Sequence, residues 1–238
     1  MTSAEDWERE AENWIAWVRR PGHDAYWYYR DAFFDEIVPP PGRATLEIGC
    51  GEGRVARDLA ARRHRVTGID ASPTMLRAAQ EADPSGTYLL ADAADLPFDD
   101  ASFDVVVSYN SLMDVDDMPA VCAEIGRVLE PGRRLCICVQ HPVWDAGKFV
   151  GLGPDAPFVL GPTYFGPRPL PETTFERNGL RMTFRGWCYS IDDYARALEA
   201  AGFVIEALRE PLPGPEAPPT TRGRRLPIFL MMRLLKPA

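Results

Sequence analysis

A glycine-rich turn between a short apolar run and an amphipathic run limits what this chain can fold into. Residues 45–48 read as a buried strand, and Gly49, Gly51 and Gly53 follow at alternate positions. Glycine has no Cβ, so it adopts positive φ angles readily and lets a ligand approach the backbone closely. Apolar spacing over residues 55–59 then predicts a helix whose free N–H groups face the turn. The pattern therefore predicts a ligand-binding turn at the start of an α/β sheet.

An acidic residue about twenty residues after this turn narrows the choice of ligand. Residues 65–69 predict a second strand, and Asp70 follows at its carboxyl end. A carboxylate at that position suits the two hydroxyls of a ribose, which predicts a Rossmann-like domain that binds a nucleoside-containing cofactor. The third glycine comes one residue earlier than in the dinucleotide fingerprint, and Arg54 stands in its place. This displacement counts against NAD.

The rest of the chain alternates predicted strands and helices, as a parallel sheet requires. Near-continuous apolar runs indicate strands that are covered on both faces. The predicted third to seventh strands occupy residues 87–91, 104–108, 135–139, 203–208 and 227–234. The sequence therefore predicts an α/β fold in which helices pack on both faces of a central sheet.

Two regions interrupt the alternation. Residues 1–42 combine acids with many aromatic rings, and we expect helices there that pack on the main domain or cover the cofactor site. The main domain is expected over residues 43–238, with a cap insertion at about 143–187 after the fifth strand. Within the insertion, Asn178 and Gly179 lie between two alternating runs, which is a strong signal for a β-hairpin.

Composition excludes several function classes. The formal net charge of -9 argues against a protein that binds nucleic acid through phosphate contacts. No apolar run approaches the length of a membrane span, and no signal segment opens the sequence. The five cysteines show no disulfide or zinc-ligand spacing, so we expect no metal and a reducing, cytoplasmic location.

Several motifs together resemble the class I S-adenosylmethionine-dependent methyltransferases of the UbiE type. They are the glycine turn at 46–53, the acid Asp70, residues 91–98, the segment 99–110 that leads into the fourth strand, and the turn at 129–132. The resemblance implies a Rossmann-like, mostly parallel sheet of seven strands with the last strand antiparallel beside the fifth. It also implies S-adenosyl-L-methionine as cofactor and S-adenosyl-L-homocysteine as product.

The same resemblance implies nine cofactor-binding residues at the ends of the first four strands. They are Glu47 at the amino group, Gly49 and Gly51 along the methionine portion, Asp70 at the ribose, Ala71 and Met75 around the adenine, Asp92 and Ala93 at its exocyclic amine, and Tyr109 in the wall of the site. The chemistry of the acids agrees, because a carboxylate accepts hydrogen bonds from hydroxyl and amine donors.

A catalytic base is needed if the acceptor is a hydroxyl or an ammonium group. His141 follows the predicted fifth strand on the cofactor side of the sheet, and we expect it either to serve as this base or to be a hydrogen-bonded turn residue before a proline. His23 is a second candidate. The family has no fixed catalytic residue, so the resemblance assigns none.

These observations favour methyl transfer to O, N or C of a small-molecule acceptor, by a monomer or a homodimer. The insertion is crowded with aromatic residues that could line an apolar or aromatic acceptor pocket or form a small core of their own: Trp144, Phe149, Phe158, Tyr164, Phe165 and Trp187. Methylation of tRNA or protein is a further possibility, although the acidic balance disfavours tRNA. An NAD-linked oxidoreductase on a related fold and a non-catalytic module that binds S-adenosylmethionine are two more functions compatible with a glycine turn of this kind.

Overall fold

The computed structural model describes residues 2–151, 153 and 155–238. The strands are β1 (Thr45–Ile48), β2 (Val66–Asp70), β3 (Thr87–Leu90), β4 (Phe103–Tyr109), β5 (Leu129–Gln140), β6 (Gly147–Phe149), β7 (Phe158–Leu160), β8 (Arg168–Pro169), β9 (Thr173–Arg177), β10 (Leu180–Phe184), β11 (Trp187–Cys188), β12 (Val204–Arg209) and β13 (Phe229–Leu235). The α-helices are α1 (Ser3–Val18), α2 (Tyr26–Ala32), α3 (Arg54–Ala61), α4 (Pro73–Ala82), α5 (Met118–Val128), α6 (Pro142–Asp145) and α7 (Ile191–Ala200). Among the described residues, no helix has the length and apolarity needed to cross a bilayer.

Seven strands form the central sheet in the order β12-β13-β5-β4-β1-β2-β3. β1 lies parallel to both β2 and β4, so the chain reverses its direction of winding between these two neighbours. Such a switch point opens a crevice at the carboxyl ends of the strands, where ligands bind in open α/β sheets. β13 runs antiparallel to β5, which confirms the seven-stranded, mostly parallel sheet predicted for this fold.

Both faces of the central strands of the sheet are buried, whereas the edge strands β3 and β12 are largely exposed. Along β4, Val106 packs into the apolar layer that α5 and α7 contribute, whereas Val105 and Val107 pack into the layer formed with α2 and α3. All seven residues of this strand are buried, as expected for a central parallel strand. The layers on both sides therefore fix the position of the strand ends that carry the site.

Local sequence signals account for most of the element boundaries. Ser72 caps α4 by accepting a hydrogen bond from the Met75 amide, and Asn178 and Gly179 turn the β9–β10 hairpin with φ angles of 55° and 77°. One boundary differs, because β5 starts at Leu129 rather than at residue 135. The predicted turn at 129–132 pairs with the last residues of the chain, because the Gly132 N–H donates to the Lys236 carbonyl at 2.7 Å. This pairing extends β5.

Helix α1 is tied to both the sheet domain and the insertion. Its Glu8 carboxylate accepts hydrogen bonds from the hydroxyls of Ser72 and Thr74 in the turn after β2. Arg19, just after the helix, pairs with Glu52 at 3.2 Å. The helix also packs against α4 and against β10 of the insertion. These contacts place α1 as a roof over the carboxyl ends of the strands.

Candidate active site

A cavity of about 1470 Å³ lies at the carboxyl ends of the strands, beneath α1 and the insertion. One half is lined by the ends of β1, β2 and β3. The other half is lined by the segments after β4 and β5 and by the insertion. Because single small-molecule sites commonly measure about 300–1,000 Å³, this volume has room for two ligands side by side.

The glycine turn contributes two different features to this cavity. Gly49 has φ +66°, and a Cβ there would lie 2.5 Å from the Cβ of Ser111, so this glycine allows close packing against the segment after β4. Gly51 has φ +55°, and among the described residues a Cβ there would meet only Nε1 of Trp14 within 4 Å, at 3.7 Å. The backbone at Gly51 therefore faces open cavity, where a ligand can lie against it.

Asp70 lines the cavity at the end of β2 with its carboxylate fixed by the backbone. The N–H of Gly51 donates to Oδ2 at 2.8 Å, and the N–H of Ser72 donates to Oδ1 at 2.9 Å. Burial raises the pKa of Asp70, and these backbone hydrogen bonds oppose the shift. Each oxygen keeps acceptor capacity beyond its one backbone donor, so the group is oriented for further donors such as hydroxyls.

Glu47, at the same level on β1, is an uncompensated acid. The residue is only 2% exposed, and its Oε2 has no hydrogen-bond partner among the described residues. Burial raises the pKa of Glu47 well above its ordinary range, and the nearby Asp70 adds to the shift. Because buried polar atoms in folded proteins are normally paired, this oxygen indicates a donor that a ligand supplies.

Arg54 lines the cavity beside Glu47, a placement that the sequence did not predict. Its Nη1 donates to Asp24 at 2.6 Å, and its guanidinium lies 4.1 Å from the centre of the Tyr26 ring. The local signal in the sequence was that Arg54 is the first helical residue after the glycine turn. An anionic group of a ligand at this end of the cavity would meet a positive charge that is already held in place.

In the half of the cavity at the ends of β1, β2 and β3, the cofactor half, small and apolar side chains line the far end. Ala71, Met75 and Ala93 line it, and Met75 packs in a small apolar cluster with the α1 residues Trp7 and Trp14. Asp92 is exposed and accepts a hydrogen bond from the Ala94 N–H at 2.9 Å. Tyr109 also lines the cavity. The structure thus brings all nine predicted cofactor residues to one cavity wall.

The two histidines do not lie in this cavity wall. In His141, Nδ1 accepts a hydrogen bond from the Val143 N–H at 3.1 Å, and Nε2 pairs with Glu210 at 2.8 Å. Burial lowers the pKa of this imidazole. With both ring nitrogens engaged, His141 caps α6, and the structure does not place it as a base for an acceptor. His23 is buried against the ring of Trp17 instead.

The second half of the cavity combines aromatic walls with acidic side chains. Four of the six predicted insertion aromatics line it: Trp144, Phe149, Phe158 and Trp187. Of the other two, Tyr164 accepts a hydrogen bond from the Ile191 N–H, and Phe165 is 74% exposed. Two of these acids are Asp114, after β4, and Asp145, at the end of α6, and no sequence motif marked either of them. The lining also includes Asp116, which accepts a hydrogen bond from Ser3, and Asp117, which caps α5.

The pKa of Asp145 predicts how the stability of the folded protein changes with pH. Burial raises its pKa from 3.8 to about 6, although Gln140 and Arg168 oppose the shift. The folded state therefore binds the extra proton between these values, and stability falls as pH rises through that window. We expect Asp145→Asn to raise the free energy of unfolding by about 1–2 kcal/mol at about pH 8, because it removes the buried charge. At about pH 4, where the folded carboxyl is already neutral, the gain should be small.

Urea unfolding of both proteins at the two pH values measures this difference. Asp99→Asn provides the matched control, because Asp99 is exposed and lies outside the cavity. A loss of stability in Asp145→Asn at the higher pH would show that the charged form makes contacts that the burial argument omits.

The comparisons with known proteins agree with this geometry. Residues 46–137 match the family described as "Methyltransferase domain". Demethylmenaquinone methyltransferase from Tropheryma whipplei is 33% identical over 188 residues, which span 76% of this chain and 73% of that protein. The chain belongs to the class I S-adenosylmethionine-dependent methyltransferases.

Two further proteins are similar to this methyltransferase, one in sequence and one in fold. The O-methyltransferase rstn1 of Aspergillus nomiae is 41% identical over 126 residues, and the matched region covers 50% of this chain and about half, 52%, of rstn1. The crystal structure of an S-adenosylmethionine-dependent methyltransferase from Mesorhizobium loti superposes with a TM-score of 0.69 at 24% identity, covering 89% of this chain and 97% of that one. The second match supports the fold.

The cofactor half of the cavity fits S-adenosylmethionine, the cofactor of this family. Glu47 offers an unpartnered carboxyl oxygen to an ammonium group, and Asp70 offers an oriented carboxylate to a ribose. The open backbone at Gly51 leaves space where a side chain would stand. Family membership replaces the nicotinamide interpretation, for which the displaced third glycine was already unfavourable.

Proposed function

We propose that this methyltransferase transfers a methyl group from S-adenosylmethionine to a small-molecule acceptor with an aromatic or otherwise apolar body. The observation that carries the proposal is the single cavity in which a cofactor-shaped half adjoins an aromatic-walled half. β1 borders the cofactor half and β4 borders the other half. These two strands are direct neighbours in the sheet, so no described strand end lies between the two halves.

The proposed roles follow from the placement of the side chains. Glu47 holds the ammonium group of the cofactor, Asp70 the ribose hydroxyls and Asp92 the adenine amine. Arg54 stands where the carboxylate of the methionine portion would meet a positive charge. When bound, S-adenosylmethionine supplies a methyl group that is activated by the positive sulfonium sulfur. The protein's own contribution is to align the two ligands, and such positioning lowers barriers by roughly 7–11 kcal/mol.

The roof over the site serves the same chemistry by excluding water. Trp7 and Trp14 of α1 line the cavity, and their indoles pack edge-on with ring centres 5.6 Å apart. A dry site strengthens the electrostatic contacts that orient the ligands. Because α1 contacts both the turn after β2 and the insertion, its position over the cavity is held from two sides.

The proposed role of Glu47 predicts that this carboxyl group releases protons when the ligand binds. Its pKa is raised in the ligand-free protein, and an ammonium group bound next to it would lower that pKa. Binding of S-adenosylhomocysteine should therefore release protons from Glu47 at pH values below the raised pKa, and affinity should increase as pH rises toward it. Isothermal titration calorimetry in buffers of different ionisation enthalpy measures this release.

Glu47→Gln is the matched variant for that measurement, since it keeps the size of the side chain and cannot titrate. We expect it to bind S-adenosylhomocysteine about tenfold to 100-fold more weakly and with little proton release. Equal proton release in both proteins would show that another group titrates and would remove Glu47 from the ammonium site.

A further inference from the structure

The half of the cavity at the segments after β4 and β5, the acceptor half, carries acidic groups that are not paired with a cation of the described residues. Asp114 follows β4 and Asp145 follows β5, so neighbouring strands bring both acids to the same wall. Among the described residues, no ion pair joins either carboxylate to a cation. Asp145 accepts a hydrogen bond from the Gln140 amide, and Arg168 donates to the Asp145 backbone carbonyl at 2.7 Å.

The insertion covers Asp114 on one side without giving its carboxylate a partner. Gly186 has φ +151°, and a Cβ there would lie 2.8 Å from Oδ1 of Asp114 and 2.9 Å from the Met113 carbonyl oxygen. Only glycine lets the backbone approach this closely. In the part of the chain that the structure describes, no hydrogen-bond donor reaches the Asp114 carboxylate, which lies partly open to the cavity.

Three cations of the cavity lining are not paired with either acid among the described residues. Arg222 lies over the ring of Phe149 at 4.6 Å and donates to the Gly151 carbonyl at 2.6 Å. Arg185 pairs with Glu172 at 2.8 Å. Lys148 is exposed at the edge of the cavity. Arg168 lies beside Asp145 and lowers the pKa of its carboxyl group, but no described cation pairs with the Asp114 carboxylate. A cation on a ligand in the cavity could therefore pair with both acids.

We propose that Asp114 and Asp145 bind the protonated amino group of the acceptor, which makes the substrate class an amine carried on an aromatic or apolar body. The inference rests on the proposed function, because it concerns the second ligand of the same cavity. The indoles of Trp144 and Trp187 lie in this wall as well, and aromatic faces attract cations. A carboxylic acid or phosphate acceptor would be repelled by the same pair.

The pair also provides a destination for the proton that an amine must lose before it reacts. An N–H proton of the ammonium passes to the Asp114 carboxylate, which leaves a neutral amine with its lone pair. The nitrogen then forms its bond to the methyl carbon while the carbon–sulfur bond breaks and the sulfur keeps the electron pair. Burial and the neighbouring Asp145 hold the pKa of Asp114 well above its ordinary range, which makes it a stronger base.

Three indoles that differ in the end group of a short side chain test the charge preference. Tryptamine, tryptophol and indole-3-propionate are titrated into protein saturated with S-adenosylhomocysteine. We expect tryptamine to bind at least about tenfold more tightly than tryptophol, and indole-3-propionate to bind most weakly. Asp114→Asn and Asp145→Asn should each reduce tryptamine affinity toward that of tryptophol and leave tryptophol affinity unchanged. Asp99→Asn, the exposed control with the same charge change, should alter none of the three.

Equal or weaker binding of tryptamine relative to tryptophol would overturn the inference, as would its failure to bind at millimolar concentration. Unchanged tryptamine affinity in both cavity variants would overturn it as well. S-adenosylhomocysteine affinity and urea unfolding are measured for each protein first, so a folding defect is recognised separately. If S-adenosylhomocysteine does not bind the wild-type chain, the proposed function fails, and the three indoles are compared without it by the same criterion.

Discussion

Asp70→Asn should weaken the binding of S-adenosylhomocysteine by about 30- to 100-fold. In the native site, the Gly51 and Ser72 amides each donate to one carboxylate oxygen, which leaves both oxygens able to accept from ribose hydroxyls. Asparagine offers one oxygen and one NH₂ group, so its NH₂ group must face one of the two backbone N–H donors. The variant loses the charge-assisted bonds and also the orientation of the turn. Isothermal titration calorimetry on both proteins measures the difference.

Asp99→Asn serves as the control for net charge, since Asp99 is exposed and lies outside the cavity. Its affinity for S-adenosylhomocysteine should equal that of the wild type. Asp92→Asn should have a smaller effect than Asp70→Asn, because Asp92 is exposed to solvent that competes for its hydrogen bonds. If Asp70→Asn bound as tightly as the wild type, the ribose assignment would be incorrect.

Alanine substitutions at three glycines should separate folding from binding. Each glycine has a positive φ, so each alanine costs about 1–2 kcal/mol of backbone strain. Gly49→Ala adds a clash with Ser111, whose hydroxyl is held by the Ile48 carbonyl at 2.8 Å, and should lose about 2–5 kcal/mol in total. Gly51→Ala should lower the free energy of unfolding by the backbone strain alone. It should also lose most of its affinity for S-adenosylhomocysteine, because the alanine methyl group enters the cavity.

Gly132→Ala is the matched control, because Gly132 has φ +77° and a Cβ there meets no atom of the described residues within 4 Å. It should show the strain term alone, with normal ligand affinity. Urea unfolding and calorimetric titration of the three variants provide both readouts. Normal affinity in Gly51→Ala would contradict the claim that the cofactor lies against this part of the backbone.

The sheet and the cofactor half could be predicted because their signals are local. The apolar run before Gly49 and the acid at the end of β2 each carry their meaning within a few residues. The positive φ angles at Gly49 and Gly51 follow from the same short stretch. Parallel packing then forces the carboxyl ends of the strands to one edge, so residues far apart in sequence meet without further information.

The acceptor half could not be predicted, because its contacts depend on how distant segments pack. His141 occupies the expected position after β5, yet Glu210, which is 69 residues later, holds its Nε2. Asp114 and Asp145 read as ordinary turn acids in the sequence, because only the folded chain brings them to one cavity. In the same way, Trp14 reaches the glycine turn only because α1 is tied to the sheet through Glu8.

A crystal structure of this methyltransferase with S-adenosylhomocysteine tests the central claim most directly. We expect one ligand per chain in the cavity beneath α1, with the ribose hydroxyls on Asp70, the ammonium group on Glu47 and the adenine amine near Asp92. Ligand density elsewhere, or in this cavity with the ribose turned away from Asp70, would contradict that claim.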